Sequence, residues 1–167
     1  MTETPLRLKD TSRPKQANEE NGKGFWFVDR SEIVTEIAAK EYLEYGTHED
    51  HIYGTKLSTV RSIIQNKYTP VLDVEPQAVQ IIRNSEFSPL IVFIQPPNVS
   101  SVKDIICENS EQLEQLMKET DIILSTYAHL IDMVIPNVDV EYVVESVHNA
   151  IEDCEHRAQW VPASWIY

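Results

Sequence analysis

The sequence predicts an open α/β sheet domain, and two observations carry this prediction. Short apolar runs bounded by proline, glycine or carboxylates alternate with segments whose apolar residues recur every three or four positions. The runs at 70–74 and 90–94 are typical of strands buried on both faces of a parallel sheet, and the segment between them has helical periodicity. With 167 residues, 42% of them apolar, the chain holds about one domain of ordinary size.

The N-terminal part is predicted to contain little regular structure. It is polar to about residue 24 and interrupted by prolines and glycines, so we expect loop with at most one short strand, and residues 1–10 to be variable or disordered. Phe25–Val28 follows as a strand. A helix to about Ala39 is predicted next.

The start of the helix that ends near Ala39 has the spacing of a capping box, with Asp29 at the cap and Glu32 three residues on. Two further helices are expected before residue 90. One covers Ser58–Asn66, and the other opens at Pro76, since proline is accepted in a first helical turn.

The C-terminal half continues the alternation of helices and strands. An acidic helix after Pro97 carries apolar residues on one side, namely Leu113, Leu116, Met117, Ile123, Leu124 and Tyr127. A strand is expected within Leu130–Ile135. A last helix carries Val140, Val143, Val144, Val147 and Ile151.

Charge and composition exclude several classes of function. The net charge is −13, and residues 97–167 supply a surplus of ten carboxylates, so a basic nucleic-acid surface is absent and no nucleic-acid partner is expected. The longest unbroken apolar run is Leu90–Ile94, too short to cross a bilayer, so direct membrane insertion is not expected. Cys107 and Cys154 form no CxxC motif, which indicates no zinc site and a reducing, cytoplasmic compartment.

Several motifs occur in a fixed order along the chain: Thr11-Ser12-Arg13-Pro14, Glu19, Asn21-Gly22, Phe25–Val28, Glu41–Gly46, Tyr53–Thr55 and Leu72–Gln77. This series resembles the guanylate kinase fold. More narrowly, it resembles the guanylate-kinase-like domain of the membrane-associated guanylate kinases (MAGUKs), in the branch of the calcium/calmodulin-dependent serine protein kinase scaffold and the palmitoylated membrane proteins.

The resemblance implies a partial guanylate-kinase-like domain over residues 11–158. It would have a P-loop-kinase-like open parallel sheet core and a small mixed subdomain of the GMP-binding type at about 25–70. A lid-like region would cover about 97–121. Because the printed sequence holds no P-loop motif, the core is predicted to lack its interior P-loop strand, which would leave backbone groups unpaired and the domain marginally stable.

The resemblance also implies a peptide- or GMP-type binding site. Arg13 and Tyr53 match phosphate-binding positions. Glu44 matches the carboxylate that accepts from the guanine edge, with the Thr55 hydroxyl beside it. The full set is Arg13, Gln16, Phe25, Glu44, Tyr53, Gly54, Thr55, Asp73 and Glu75.

Departures from the family pattern predict poor GMP binding. Gln16 stands where active enzymes carry a second phosphate-binding arginine, Phe25 stands where a tyrosine is expected, and Lys9 replaces a serine. Phosphoryl transfer also needs a GxxxxGK[ST] loop and cations on the moving phosphate, whereas the printed sequence lacks that loop and residues 97–121 contain no arginine. No catalytic residue, cofactor or metal site is therefore expected.

The last residues, Gln159–Tyr167, contain more aromatic side chains than is typical of a free tail. They resemble the strand that follows the kinase-like domain and completes a split Src-homology-3 domain, so this segment is predicted to be an interaction strand. Its contact residues would be Trp160, Val161, Trp165 and Ile166. The partner would be a Src-homology-3 domain of the same or another scaffold.

Three functions remain open at this point. The leading hypothesis is a non-catalytic scaffold module that binds a peptide or phosphopeptide through the former GMP site, with apolar residues near Phe25 and Trp26 holding the adjacent peptide. It would be cytoplasmic and reach the plasma membrane or cell junctions through its parent scaffold. The first alternative is a guanylate kinase whose P-loop half is missing from this chain. The second is a structural fragment that acts through its last strand.

Overall fold

The computed structural model describes residues 9–97 and 110–166, with side chains from residue 114 onward in the second range. It has the mixed α/β fold that the sequence predicts. The chain divides into two compact units, Met1–Ile82 and Arg83–Tyr167.

The N-terminal unit is built on a four-stranded mixed sheet. Its strands are β1 (Lys9–Thr11), β2 (Phe25–Phe27), β3 (Tyr42–His48) and β4 (His51–Lys56). Their order is β2-β1-β4-β3, in which β1 runs parallel to β2 and antiparallel to β4, and β3 runs antiparallel to β4. The strand predicted from Phe25 is therefore confirmed.

Strand β1 corrects the expectation that residues 1–10 are variable. Lys9 and Asp10 belong to a strand inside the sheet, and Asp10 and Thr11 are 4% and 0% exposed. A polar Lys-Asp-Thr run has no hydrophobic signal, so only pairing on both sides makes it a strand. The rest of that segment, residues 1–8, lies outside the described residues.

Three helices complete this unit: α1 (Arg30–Ala38), α2 (Leu57–Gln65) and α3 (Pro76–Ile82). All three occur where helical periodicity predicts them. The capping box predicted at the start of α1 does not form, because the Asp29 side chain makes no capping hydrogen bond. The Glu32 amide donates instead to the backbone carbonyl of Asp29, at 3.0 Å.

The apolar core of the unit lies between α1 and one face of the sheet. Ile33, Tyr42 and Ile52 are 0%, 5% and 6% exposed and form one cluster, against which Val28 and Ile37 pack. Burying one such aliphatic side chain stabilises the fold by about 1.5–3 kcal/mol. Contact with α1 therefore covers this face of β3 and β4.

A buried polar network lies beside this core. The Tyr42 hydroxyl donates to Asp10 Oδ2 at 2.6 Å and to Glu36 Oε2 at 3.4 Å, and the Lys56 ammonium pairs with Glu36. Burial raises the pKa of Asp10 above 3.8, against the opposing effects of the Tyr42 hydrogen bond and the Lys56 charge. Tyr42 therefore acts both as a core ring and as the donor that supports a buried carboxylate.

Strands β3 and β4 form a hairpin with a two-residue loop. His48 pairs with His51, and the loop residues Glu49 and Asp50 have φ values of 47° and 64°. Positive φ at both central residues is what a type I′ turn requires, and its twist matches that of the strands. Arg30 Nη1 donates to the Asp50 carbonyl, which ties the loop to the start of α1.

The strand predicted over Pro70–Val74 is wrong. Residues 68–75 have no regular secondary structure, and Val71 is 68% exposed. A strand exists only where a neighbouring strand accepts its backbone hydrogen bonds, and the described residues provide no ladder for this segment. Apolar composition alone therefore did not produce a strand here.

The C-terminal unit contains two parallel strands and two long helices. Strands β5 (Val92–Gln95) and β6 (Met133–Pro136) pair residue by residue, from Val92 opposite Met133 to Gln95 opposite Pro136. The helices are α4 (Ser110–Tyr127) and α5 (Val140–His156), and 3₁₀ turns cover Ala128–Leu130 and Ala163–Trp165. These strands and helices are confirmed, except that residues 98–109 of the lid-like region lie outside the described residues.

Asp132 links several parts of this unit. Its carboxylate accepts two 2.8 Å bonds from the Arg83 guanidinium and one, also 2.8 Å, from the Ile91 amide. The Arg83 guanidinium in turn lies 5.8 Å from the ring centre of Trp165. The C-terminal turn is thus held at the start of the two-stranded sheet.

The segment predicted to be an interaction strand, Gln159–Tyr167, has no strand structure within its described residues. Residues 158–162 are irregular and Ala163–Trp165 is a 3₁₀ turn, while Tyr167 lies outside the described residues. The described part of the chain offers this segment no strand partner, and its pairing with a Src-homology-3 domain stays a prediction. In the same described ranges, no helix is long and apolar enough to cross a membrane.

Two glycines on the neighbouring strands β3 and β4 differ in their surroundings, and the difference gives a stability prediction for the sheet. A Cβ at Gly54 would lie 2.6 Å from Tyr42 Cδ1 and 2.9 Å from the Glu44 carbonyl oxygen. We expect Gly54→Ala to lower the free energy of unfolding by about 1–3 kcal/mol, because the backbone must move. Urea denaturation measures this.

The matched control is Gly46→Ala on the neighbouring strand, where a Cβ meets nothing within 4 Å. It should change stability by no more than about 1 kcal/mol. Equal effects of the two substitutions would contradict the close approach of β4 to Tyr42.

The Asp10–Tyr42 bond gives a pH-dependent prediction. Because the pKa of Asp10 is raised by burial, the folded state binds this proton more tightly than the unfolded state, and the Asp10 contribution to stability falls as pH rises from about 3.8. Tyr42→Phe removes the hydrogen bond that opposes the raised pKa. We expect it to lower the free energy of unfolding by about 1–3 kcal/mol near pH 7 and by less near pH 4.

Tyr45→Phe is the control, because Tyr45 lies on the same strand and is 61% exposed. Its effect should be small at both pH values. A Tyr42→Phe penalty that does not change with pH would show that the hydroxyl does not support the Asp10 carboxylate.

Candidate functional site

One face of the four-stranded sheet carries most of the predicted binding residues. Residues paired directly across neighbouring strands point to the same face. The register therefore defines two rows of cross-strand neighbours on this face. The first row consists of Phe25, Lys9, Thr55 and Glu44. The second row consists of Phe27, Thr11, Tyr53 and Gly46. We call these rows, with Arg13 and Glu19, the binding face.

Arg13 follows the end of β1, so the central strand positions it. Its Nη1 and Nη2 atoms donate to Glu19 Oε2 and Oε1 at 3.0 and 2.7 Å. Its guanidinium carbon lies 5.9 Å from the ring centre of Phe25 and 5.3 Å from that of Phe27, within the range of cation–π attraction. The hydrogen bond with Glu19 raises the pKa of Arg13.

Tyr53 lies beside this arginine. Its ring meets Phe25 edge-on with 5.8 Å between ring centres, and its hydroxyl also raises the pKa of Arg13. The structure thus brings Arg13, Phe25 and Tyr53 together, as their predicted shared site requires.

Glu19 is the residue whose role the sequence left unassigned, although it lies in one of the motifs. Besides the two bonds from Arg13, its Oε2 accepts the Gln16 amide at 2.8 Å. The Arg13 hydrogen bond, followed by that of the Gln16 amide, lowers the pKa of the Glu19 carboxyl. Gln16 therefore contributes its backbone, while its side chain is exposed.

A second polar cluster surrounds Glu44 in the neighbouring row. Thr55 Oγ1 donates to Glu44 Oε1 at 3.4 Å, and Lys9 Nζ lies 3.7 Å from the same oxygen. The Glu75 amide donates to Glu44 Oε2 at 3.1 Å. Both carboxylate oxygens are therefore oriented by this chain's own donors, and Glu75 contributes its backbone.

Three of the residues considered at the sequence level lie elsewhere. Gly54 alternates with Tyr53 and Thr55 along β4, and a Cβ there would meet Tyr42, so it serves packing. Trp26 alternates with Phe25 and Phe27 along β2, so it points to the opposite face of the sheet. Asp73 is exposed, and no hydrogen bond or ion pair joins it to the binding face within the described ranges.

The four residues of the predicted interaction strand lie in the C-terminal unit. Trp160 is 100% exposed, Ile166 is 67% exposed and Val161 is 42% exposed, whereas Trp165 packs against Arg83. Among the side chains of residues 9–97 and 114–166, no group of three or more His, Cys, Asp or Glu could hold a metal ion.

Comparison with known proteins gives the family. The sequence family described as Guanylate kinase matches residues 3–154. Protein lin-2 of Caenorhabditis elegans is 38% identical over 160 residues, which cover 96% of this chain and 16% of that protein. Protein PALS2 of Mus musculus is 34% identical over 94% of this chain and 30% of its own length, and MAGUK p55 subfamily member 2 of Rattus norvegicus is 33% identical over the same shares.

A solved structure shows the same fold. The guanylate kinase from Anaplasma phagocytophilum superposes with a TM-score of 0.58 at 19% identity, over 91% of this chain and 76% of that one. The chain spans less than a third of the curated relatives named above. On the match over residues 3–154 and the identity to these relatives, the chain belongs to the guanylate kinase family, within its MAGUK branch.

Proposed function

We propose that this chain is a non-catalytic protein-interaction module of a scaffold, and that its binding face receives a peptide. The observation that carries the proposal is the assembly of an aromatic and charged surface on one face of a rigid sheet. Phe25, Phe27 and Tyr53 offer apolar contact, and the Arg13 guanidinium lies within cation–π range of both phenylalanine rings. Aromatic and arginine side chains are those that dominate binding energy in protein interfaces.

The second cluster adds polar recognition to this surface. Glu44 is held by Thr55, Lys9 and the Glu75 amide, so its carboxylate is already oriented before a ligand arrives. A backbone or side-chain donor of a peptide could bond to it with little loss of conformational entropy. The binding face can therefore contact a peptide at two points on adjacent rows.

Several features argue against phosphoryl transfer by this chain. The printed sequence has no GxxxxGK[ST] loop, and Gln16 stands at the second phosphate-binding position. The segment 97–121 holds two lysines, Lys103 and Lys118, and no arginine, within a region that has a surplus of ten carboxylates. Negative charge near a triphosphate opposes its binding, so phosphoryl transfer lacks the positive charge that would stabilise the transferred phosphate.

A guanylate kinase whose P-loop half is missing from this chain is the second candidate. One observation favours it, namely that Glu44 and Thr55 remain in contact on the same face as Tyr53 and Arg13. Those residues occupy the positions that match a GMP site. This candidate is the weaker one because the printed sequence lacks the phosphate-binding loop and the second phosphate-binding arginine.

The C-terminal segment supports a further part of the proposal. Trp160, Val161 and Ile166 are exposed apolar residues, and such residues in an unpaired segment favour association with another strand or surface. We propose that this segment pairs with a Src-homology-3 domain of the same or another scaffold. The module would then work in the cytoplasm, at the plasma membrane or cell junctions, through its parent scaffold.

Peptide binding is tested by substitution of Arg13. A peptide selected on the immobilised domain from a random library should bind Arg13→Ala roughly tenfold or more weakly, because the guanidinium beside Phe25 and Phe27 is lost from the contact surface. Isothermal calorimetry gives the affinities. Lys15→Ala is the control, since it removes the same charge from an exposed position in the same loop.

Failure to select any peptide would contradict the proposal. Equal binding by wild type and Arg13→Ala would also contradict it, because the ligand would then lie elsewhere.

Catalysis is tested directly by coupled ADP release with ATP, Mg²⁺ and GMP. We expect turnover no higher than in buffer, because the chain lacks the phosphate cradle and the lid cations. An active guanylate kinase serves as the positive control. Turnover that scales with the concentration of this chain would support the second candidate instead.

A further inference from the structure

The two edges of the four-stranded sheet differ in how their backbone groups are used. At the β2 edge, the Phe27 amide donates to Asn21 Oδ1 at 2.7 Å, and the Phe25 carbonyl accepts the Gly22 amide at 2.9 Å. The preceding loop of the same chain therefore occupies this edge. A sheet edge without such cover presents a row of donors and acceptors that can pair with another extended segment.

The opposite edge is formed by β3, and the strand register shows which of its backbone groups face outward. The Ser12 amide donates to the Ile52 carbonyl at 2.9 Å, so the backbone groups of Ile52 face β1. Because the direction of these groups alternates along an antiparallel strand, those of Tyr53 face β3, where the cross-strand partner is Gly46. The two residues that flank Gly46 therefore direct their amides and carbonyls away from β4.

Those two residues are Tyr45 and Thr47, and we call their outward-facing backbone groups the open edge. Both residues are exposed, and Tyr45 is 61% exposed. Across the part of the chain that the structure describes, no hydrogen bond reaches the amide or carbonyl of either residue on this side. Lysine and proline commonly protect edge strands, and the segment 41–55 contains neither. The open edge can therefore accept one more strand.

Gly46 determines which side chain such a strand can carry. A Cβ at Gly46 would meet nothing within 4 Å, which leaves a notch in the face of the sheet between Glu44 and His48. Tyr53, the cross-strand partner of Gly46, borders the notch on the inner side. An added residue opposite Gly46 lies on this same face. A large aromatic side chain at that position covers the glycine and reaches the Tyr53 ring.

The charge around the open edge favours a basic partner. The segment 41–55 carries four carboxylates and no lysine or arginine. Glu44 has Lys9 at 3.7 Å, whereas Glu49 and Asp50 lie in the exposed hairpin loop, and within the described ranges no lysine or arginine side chain pairs with either of them. Lysine or arginine in an added strand is therefore attracted to this edge, and a second copy of this acidic chain is repelled.

We propose that the open edge of β3 is a docking site for an extended basic segment of a partner protein, which joins the sheet as a fifth strand and places an aromatic side chain over Gly46. Backbone hydrogen bonds to Tyr45 and Thr47 supply affinity, while the notch and the loop carboxylates select the sequence. This inference goes beyond the proposed function, because it requires no contact with Arg13.

The test is an NMR titration of the isotope-labelled chain with the synthetic peptide acetyl-Lys-Lys-Thr-Tyr-Thr-Lys-Lys-amide. Its sequence is a palindrome, so it presents the same side chains in either strand direction. We expect a dissociation constant of about 1 mM or tighter, with the largest shifts at residues 45–47. Hydrogen exchange of the Tyr45 and Thr47 amides should slow. The peptide with alanine in place of tyrosine should bind at least about threefold more weakly.

Two variants test the backbone pairing and the notch separately. Thr47→Pro removes an outward-facing donor and no ladder bond to β4, so it should weaken binding at least about tenfold. Thr47→Val is the matched control, because it keeps the amide, and its affinity should stay within about twofold of wild type. Gly46→Val fills the notch, where a Cβ has open space, and should weaken binding at least about threefold. This variant tests the site even if Thr47→Pro does not fold.

Three results would overturn the proposal. One is no binding at a peptide concentration of ~10 mM. Another is binding that neither a folded Thr47→Pro chain nor Gly46→Val weakens, because the peptide would then lie elsewhere. The third is a shift of the amides of residues 45–47 when the peptide-free chain is diluted, which would assign the open edge to a second copy. None of these measurements involves Arg13, so their failure is separate from a failure of the Arg13→Ala test.

Discussion

Strand β1 is the element on which the N-terminal unit depends. Its three residues pair with β2 on one side and β4 on the other, and Thr11 is fully buried. Through this pairing β1 joins Phe25 and Phe27 to Tyr53 and Thr55 as neighbours on one face. The strand also ends two residues before Arg13, so the same backbone bonds set the position of the guanidinium.

The two faces of this sheet use opposite chemistry. On one face the apolar cluster of Ile33, Tyr42 and Ile52 packs under α1, and the buried Asp10 depends on the Tyr42 hydroxyl. On the other face the charges stand in pairs that are partly exposed. This second face presents oriented carboxylate oxygens and aromatic rings.

The charged residues of the binding face are paired with one another. Arg13 matches the phosphate-binding arginine of the family, and its terminal nitrogens donate to Glu19, six residues later. Position 16 contributes a backbone amide to the same carboxylate. A motif that resembles a phosphate site thus folds into a surface without a free cation in the two rows and the Arg13–Glu19 pair.

The sequence by itself determined the family, the mixed α/β fold, the helices α1 to α5 and the strands from Phe25, Val92 and Met133. These follow from local periodicity and motif order, which a single segment carries within itself. Tertiary structure alone decided that the polar residues 9–11 form a strand, and that the apolar segment 70–74 does not. It also decided that Arg13 is paired with Glu19, because a strand and an ion pair exist only where folding supplies the partner.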